Sequence, residues 1–189
     1  MKWKDIRAIK PRKYICAYCG QNVASDKGFV SLFERENSLN YSYVIYICPM
    51  CDKPTYFESF EQIPQIPFGD SVDNLPKDID VLYNEARKCM SVSGCTAAVM
   101  LCRKILMNTA VSEGAPQNKS YNEYVQHLAD NNYIPPKGKG WVDQIRQKGN
   151  EANHEIILMT KEDAENIIQF VGMLLKFIYE LPSKIPTKP

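Results

Sequence analysis

The chain has 189 residues, of which 44% are hydrophobic and 24% charged, a balance that gives no ground for global disorder. That length holds one medium domain and one small one, and excludes two ordinary domains of about 100–150 residues each. The formal net charge of +1 favours no class of partner, and no apolar run approaches the roughly 20 residues that span a bilayer.

The first thirteen residues carry Lys2, Lys4, Arg7, Lys10, Arg12 and Lys13 against Asp5 alone, so the near-neutral total hides a basic end. Residues 1–13 read as a solvated N-terminal arm, with contact along a nucleic-acid backbone as the alternative. The start, Met1-Lys2-Trp3-Lys4-Asp5, lacks the apolar stretch of a signal peptide, so a cytoplasmic protein is expected.

Seven cysteines in such a chain point to reduced thiols or metal ligands rather than disulfides. Cys16-Ala17-Tyr18-Cys19 and Cys48-Pro49-Met50-Cys51 are both C-x-x-C turns. Two residues between thiolates let one tight turn aim both sulfurs at a single ion, and two such turns make a tetrahedral site. Cys16, Cys19, Cys48 and Cys51 are therefore expected to hold one structural Zn2+ per chain, with no position left for water or substrate. A redox pair or chance spacing is the competing reading.

Lys27 to Arg35 and Tyr41 to Ile47 read as two strands joined by Glu36-Asn37-Ser38, and Thr55 to Phe60 as a further strand, giving a zinc ribbon over residues 14–60. Tyr18, Tyr43, Tyr46 and Tyr56 suit stacking on bases, but a domain this small needs aromatics for its own core. Cys89, Cys95 and Cys102 lie in helix-patterned stretches and read as small buried hydrophobes.

Residues 61–76, with Pro64, Pro67, Gly69 and Pro76, have no sustained period and read as a linker. Ile79, Leu82, Tyr83, Ala86, Cys89 and Met90 then form one apolar helical face that ends near Ser93-Gly94. A second helix, Cys95 to Ser112, is apolar on most sides, which predicts a central place in a bundle. Ser120-Tyr121-Asn122-Glu123 is a capping box that opens a third helix. A fourth stretch starts near Lys139, carries Trp141, Val142 and Ile145, and is interrupted at Gly149. Thr160 caps a long last helix that ends at Leu181-Pro182. The fold class expected is α+β, a small β-rich ribbon followed by an all-α antiparallel bundle of about five helices over residues 77–186.

Arg146, Asn150 and His154 stand at i, i+4 and i+8, on one side of a continuous helix. A guanidinium, a carboxamide and an imidazole together suit a phosphate, and the imidazole suits proton transfer at a ribose 2′-hydroxyl. The plain alternative is that Arg146 and Asn150 brace the turn at Gly149, with His154 a satisfied structural group. His127 is a lone helical histidine, read as a surface residue.

The segment from Leu82-Tyr83-Asn84-Glu85-Ala86-Arg87, through Cys102-Arg103-Lys104-Ile105-Leu106 and Ile145-Arg146-x-x-Gly149-Asn150-x-x-x-His154, to Tyr179-Glu180-Leu181-Pro182 resembles the family called domain of unknown function 4145, over about residues 76–186. That family looks like a branch of the HEPN superfamily of small helical bundles. The resemblance implies a homodimer through the helical domain, a place in prokaryotic anti-phage defence or restriction systems, and, in active members, metal-independent ribonuclease activity. The HEPN signature is an arginine, four to six residues, then a histidine, commonly starting Arg-Asn. Here Asn150 and His154 fit, glycine occupies the arginine position at 149, and seven residues separate Arg146 from His154.

Three functions follow as expectations. The first is a module that binds RNA, another nucleic acid or a defence-system protein, without a membrane role. The second is a ribonuclease with His154 as general acid or base, Arg146 as phosphate clamp and Asn150 as orienting group. The third is a purely structural protein.

Overall fold

The basic segment that reads as a tail is a β-strand. In the computed structural model, which describes residues 3–31, 33–35, 38–40, 43–135, 138, 140, 141, 143, 145, 147 and 158–185, strand β1 spans Arg7–Ile15 and pairs antiparallel with β2, Asn22–Val30. An edge strand needs few apolar residues and tolerates a proline, and β1 carries both its lysines and Pro11 at the edge of the sheet. Two side chains tie it down. Tyr46 Oη donates to the Lys10 carbonyl at 2.8 Å, and the Arg12 guanidinium lies 3.9 Å above the Phe57 ring.

The remaining strands are β3, Phe33–Arg35; β4, Ser38–Asn40; β5, Tyr43–Ile47; β6, Pro54–Glu58; and β7, Glu61–Ile63. Five of the strands form one antiparallel sheet in the order β1-β2-β5-β6-β7, and β3 pairs with β4 separately. The expected hairpin of Lys27–Arg35 on Tyr41–Ile47 is thus divided. Gly28–Val30 pairs with Val44–Tyr46, and the chain leaves the sheet after Val30 to make the β3–β4 ribbon.

Gly28 shows why β2 can pair so closely with β5. A Cβ at this position would sit 1.8 Å from the Ile45 carbonyl oxygen, a backbone atom that cannot move without breaking the ladder. We expect Gly28→Ala to lower the stability of the sheet unit by at least about 3 kcal/mol, measured as an earlier urea transition in tyrosine fluorescence. An unchanged transition would mean that β2 and β5 are not paired in this register.

Contacts divide the chain into two units, 1–67 and 68–189, each with its own core. The sheet unit buries Tyr14, Val23, Tyr46 and Phe57 with Cys16 and Cys48. So small an apolar cluster is marginal without a covalent or metal staple.

The second unit is helical: α1, Lys77–Met90; α2, Cys95–Ser112; α3, Tyr121–Asp130; and α4, Lys161–Leu175. Gly140, Trp141, Asp143, Ile145 and Gln147 are also helical. The chain does not end its last helix directly at Leu181. It runs from α4 into a π-helical turn, Lys176–Glu180, and then a single turn, Leu181–Ser183. Helix α2 touches α1, α3 and α4, as its all-round apolar character predicts. Its small buried residues Ala98, Cys102 and Ala110 let those neighbours approach closely.

The segment 61–76 is not bare linker. Its first three residues are β7, while Val72 is buried in the helical core with Phe68 and Leu75 packed against it. The Arg87 guanidinium donates to the Phe68 and Gly69 carbonyls at 3.1 and 2.7 Å, and Tyr83 Oη donates to the Asp70 carbonyl at 3.1 Å.

Both helix caps named from the sequence are formed. Ser120 Oγ accepts from the Glu123 N–H while the Glu123 carboxylate accepts from the Ser120 N–H, and Thr160 and Asp163 repeat the pattern. The Ser120 backbone N–H, then its hydroxyl and Lys119, hold the Glu123 carboxyl down at about 2. A depressed carboxylate contributes stability above its unfolded pKa and loses it as pH falls through the folded value. We therefore expect Ser120→Ala to lower the thermal midpoint of the helical unit by a few degrees at pH 7. That gap should close as pH drops from about 4.5 to 2; a gap independent of pH would exclude the Glu123 carboxylate from the cap.

Candidate metal centre

The two hairpins β1–β2 and β5–β6 each turn on a C-x-x-C knuckle, and β2 and β5 pair side by side, which brings the two turns together. The knuckles share one hydrogen-bonding scheme. Cys16 N–H donates to the Gln21 carbonyl at 3.0 Å, and Gly20 N–H donates back to the Cys16 carbonyl at 2.8 Å. Thirty-two residues on, Cys48 N–H donates to the Lys53 carbonyl and Asp52 N–H to the Cys48 carbonyl, both at 3.0 Å. The closing residue is left-handed in both turns, with φ of 70° at Gly20 and 56° at Asp52. Glycine and aspartate are among the residues that enter this region at low cost.

The result is a cluster in which the sulfurs of Cys16, Cys19, Cys48 and Cys51 all lie within 4.8 Å of one another. Cys16 Sγ stands 3.7 Å from Cys51 Sγ, and Cys19 Sγ stands 3.8 Å from Cys48 Sγ. A regular tetrahedron with metal–sulfur bonds of about 2.3 Å has an edge of about 3.8 Å. The spacing fits four thiolates around one ion, and it is far longer than the roughly 2.05 Å of a disulfide. None of the seven cysteines is in a disulfide.

Without a cation, burial pushes the Cys51 thiol up to about 12 and raises Cys16, whereas the Gln21 N–H holds Cys19 below its ordinary value. Buried thiols resist ionising together, and a divalent ion at their centre reverses that preference by binding the thiolates outright. The Tyr18 and Cys19 N–H groups, directed at Cys16, and the Lys53 N–H, directed at Cys51, add hydrogen bonds that favour charged sulfur. Four thiolates around one ion would fill a tetrahedral shell and leave no position for substrate.

The four clustered cysteines are those that the spacing singles out. The residues that shape the turns were less visible: Gly20, directly after Cys19, is a readable signal, but a left-handed Asp52 is not. Of the ribbon tyrosines, Tyr46 is buried, Tyr43 and Tyr56 stack on each other at 6.2 Å, and Tyr18 is 52% exposed.

In the helical unit, His127 is tied rather than free: its Nε2 lies 3.1 Å from the Glu113 carbonyl. Cys102 is fully buried, with its thiol pushed up by burial, while Cys89 and Cys95 are only partly covered. Arg146, Asn150 and His154 lie outside the described residues.

Residues 84–188 match the family described as Domain of unknown function (DUF4145), which is more than half of the chain. The chain belongs to the DUF4145 family. Comparison with the curated proteins and with the solved structures gives no match. The DUF4145 region falls within the helical unit, and the four clustered cysteines precede it. Arg146, Asn150 and His154 are inside the matched residues. Among the described residues, no helix is long and apolar enough to cross a membrane.

Proposed function

We propose that this DUF4145 protein is a binding module, a structural zinc ribbon followed by a HEPN-like bundle, that recognises nucleic acid or a protein partner in a prokaryotic anti-phage defence or restriction-type system. The observation that carries this reading is the closed four-sulfur cluster, with every sulfur within 4.8 Å of the others. A closed site supports shape rather than catalysis, and zinc is the ion that tetrahedral thiolate sets with this spacing hold. Reduced thiols accord with a cytoplasmic protein. Dimerisation through the helical unit is supported by Phe177, Leu181 and Ile185, which recur at i, i+4 and i+8 and are 50%, 50% and 69% exposed.

A second reading, metal-independent RNA cleavage, rests on the Arg146, Asn150 and His154 stripe, with Gly149 in the signature's arginine position. One experiment separates the two: incubation of the purified protein and of His154→Ala with tRNA and single-stranded RNA in EDTA, followed by gel analysis of both cleavage and retention. Binding without cleavage by either protein is the expected result. Cleavage by the wild type that His154→Ala abolishes would overturn the binding-only reading and install the ribonuclease.

A further inference from the structure

We infer that the β1 edge and the first cysteine knuckle form a single-strand nucleic-acid track, with cations along the strand and Tyr18 as a stacking platform at its end. This rests on the binding reading above and names the surface and the ligand class for it.

The charge is organised, not merely abundant. Residues 7–25 contain Arg7, Lys10, Arg12 and Lys13 and no acidic residue. Arg12 is spent inside the fold, over Phe57 and donating to the Ser59 carbonyl at 2.9 Å. Arg7, Lys10 and Lys13 are exposed, and among the described residues none of them makes an ion pair. They stand three residues apart on a strand whose pairing with β2 shifts register between Ala8 and Arg12, so alternation does not put them on one face; what they share is exposure along the edge strand of the sheet. A tail would average its charge over many conformations, whereas this strand confines it to the sheet edge, with Tyr46 and Arg12 tying the backbone down.

The edge strand leads directly into the knuckle. Three residues after the strand ends at Ile15 comes Tyr18, 52% exposed, and the tip of the other knuckle presents Met50, 68% exposed. Lys53 is exposed on that second knuckle. An exposed aromatic ring at the end of a cationic edge strand matches the way unpaired bases are held: charge follows the phosphates, and a ring takes a base face. A duplex hides its base faces in the stack, so the ring favours a single strand. An acidic peptide would satisfy the cations but leave Tyr18 without a role.

The test is fluorescence anisotropy of a labelled 20-nucleotide oligo(U), oligo(dT) and a 20-base-pair duplex with the full zinc-loaded chain, over a salt series. Lys10→Glu/Lys13→Glu, Tyr18→Ala and, as a control on the helical unit, Lys161→Glu are measured beside it, each with zinc content and circular dichroism to establish folding. The expected result is tighter binding of the single strands than of the duplex. The double charge reversal should weaken binding at least tenfold and flatten the salt dependence, whose log–log slope is near −0.7 per phosphate neutralised. Tyr18→Ala should weaken it roughly tenfold with the slope unchanged, and Lys161→Glu should leave it unaltered. If the wild type binds but folded β1 and Tyr18 variants bind equally well, the track is wrong while the binding reading stands. If the wild type binds none of the three probes, the track and the nucleic-acid form of that reading fall together; preference for the duplex overturns the single-strand assignment.

Discussion

Replacing Cys48 by serine should release the metal and unfold the sheet unit while leaving the helices intact. Cys48 is fully buried, lies 3.8 Å from Cys19 Sγ and begins the second knuckle. A serine hydroxyl is a poor zinc ligand at neutral pH, and structural zinc sites carry roughly 10–16 kcal/mol of apparent binding energy. That far exceeds what the few buried side chains around Tyr14, Tyr46 and Phe57 supply, so the apo sheet should not persist. Zinc per chain, measured by mass spectrometry of the metal, should fall from one to near zero, with amide exchange in residues 7–63 becoming fast and that in α2 unchanged. A Cys48→Ser protein that keeps a full zinc and a protected sheet would remove Cys48 from the ligand set. Protons compete for the same sulfurs, so acidification should also release the ion.

Replacing Ile168 by aspartate should unfold the helical unit. Ile168 is fully buried on α4, in the cluster shared with α1 and α2, and its methyl group lies against Gly69. A carboxylate there loses the burial energy of the isoleucine and must either protonate or remain an unpaired charge, a combined cost of about 5 kcal/mol or more. That is comparable to the whole stability of a domain this size. The expected result is loss of cooperative thermal unfolding in the helical far-UV signal, while the zinc site survives because it lies in the other unit. Ile168→Val, which keeps the face apolar, should cost only about 1 kcal/mol. An unaltered melt for Ile168→Asp would mean that α4 does not present this face to the core.

The parts of this fold that were legible in sequence are those where local chemistry and tertiary role agree. Helix α2 has the limits read from its apolar run, and α3 and α4 begin where Ser120 and Thr160 offer side-chain oxygens to free N–H groups. The four-cysteine cluster was legible because two-residue spacing between thiolates has few other uses. Strand β1 was not, because its pattern is set by its edge position: exposed lysines and Pro11 obscure the alternation that would mark a strand. The hairpin between the knuckles was misread for a different reason. Phe29, Val30, Leu32 and Phe33 make Lys27 to Arg35 read as one strand, yet the ladder with β5 ends at Val30, and no proline or glycine marks that exit. Likewise the π-turn at Lys176–Glu180 was not read from the sequence, because Pro182, which cannot donate to the Ile178 carbonyl, reads as a helix end rather than as a widened turn before it. The stripe of Arg146, Asn150 and His154 remains a reading of spacing alone, and its chemistry is decided by the His154→Ala comparison.

Zinc K-edge X-ray absorption of the purified full chain tests most directly whether four sulfurs surround one ion. It should report one zinc per chain with four sulfur scatterers at about 2.3 Å and no nitrogen or oxygen in the first shell. A zinc-free protein with a folded sheet, or a mixed sulfur and nitrogen shell, would contradict it.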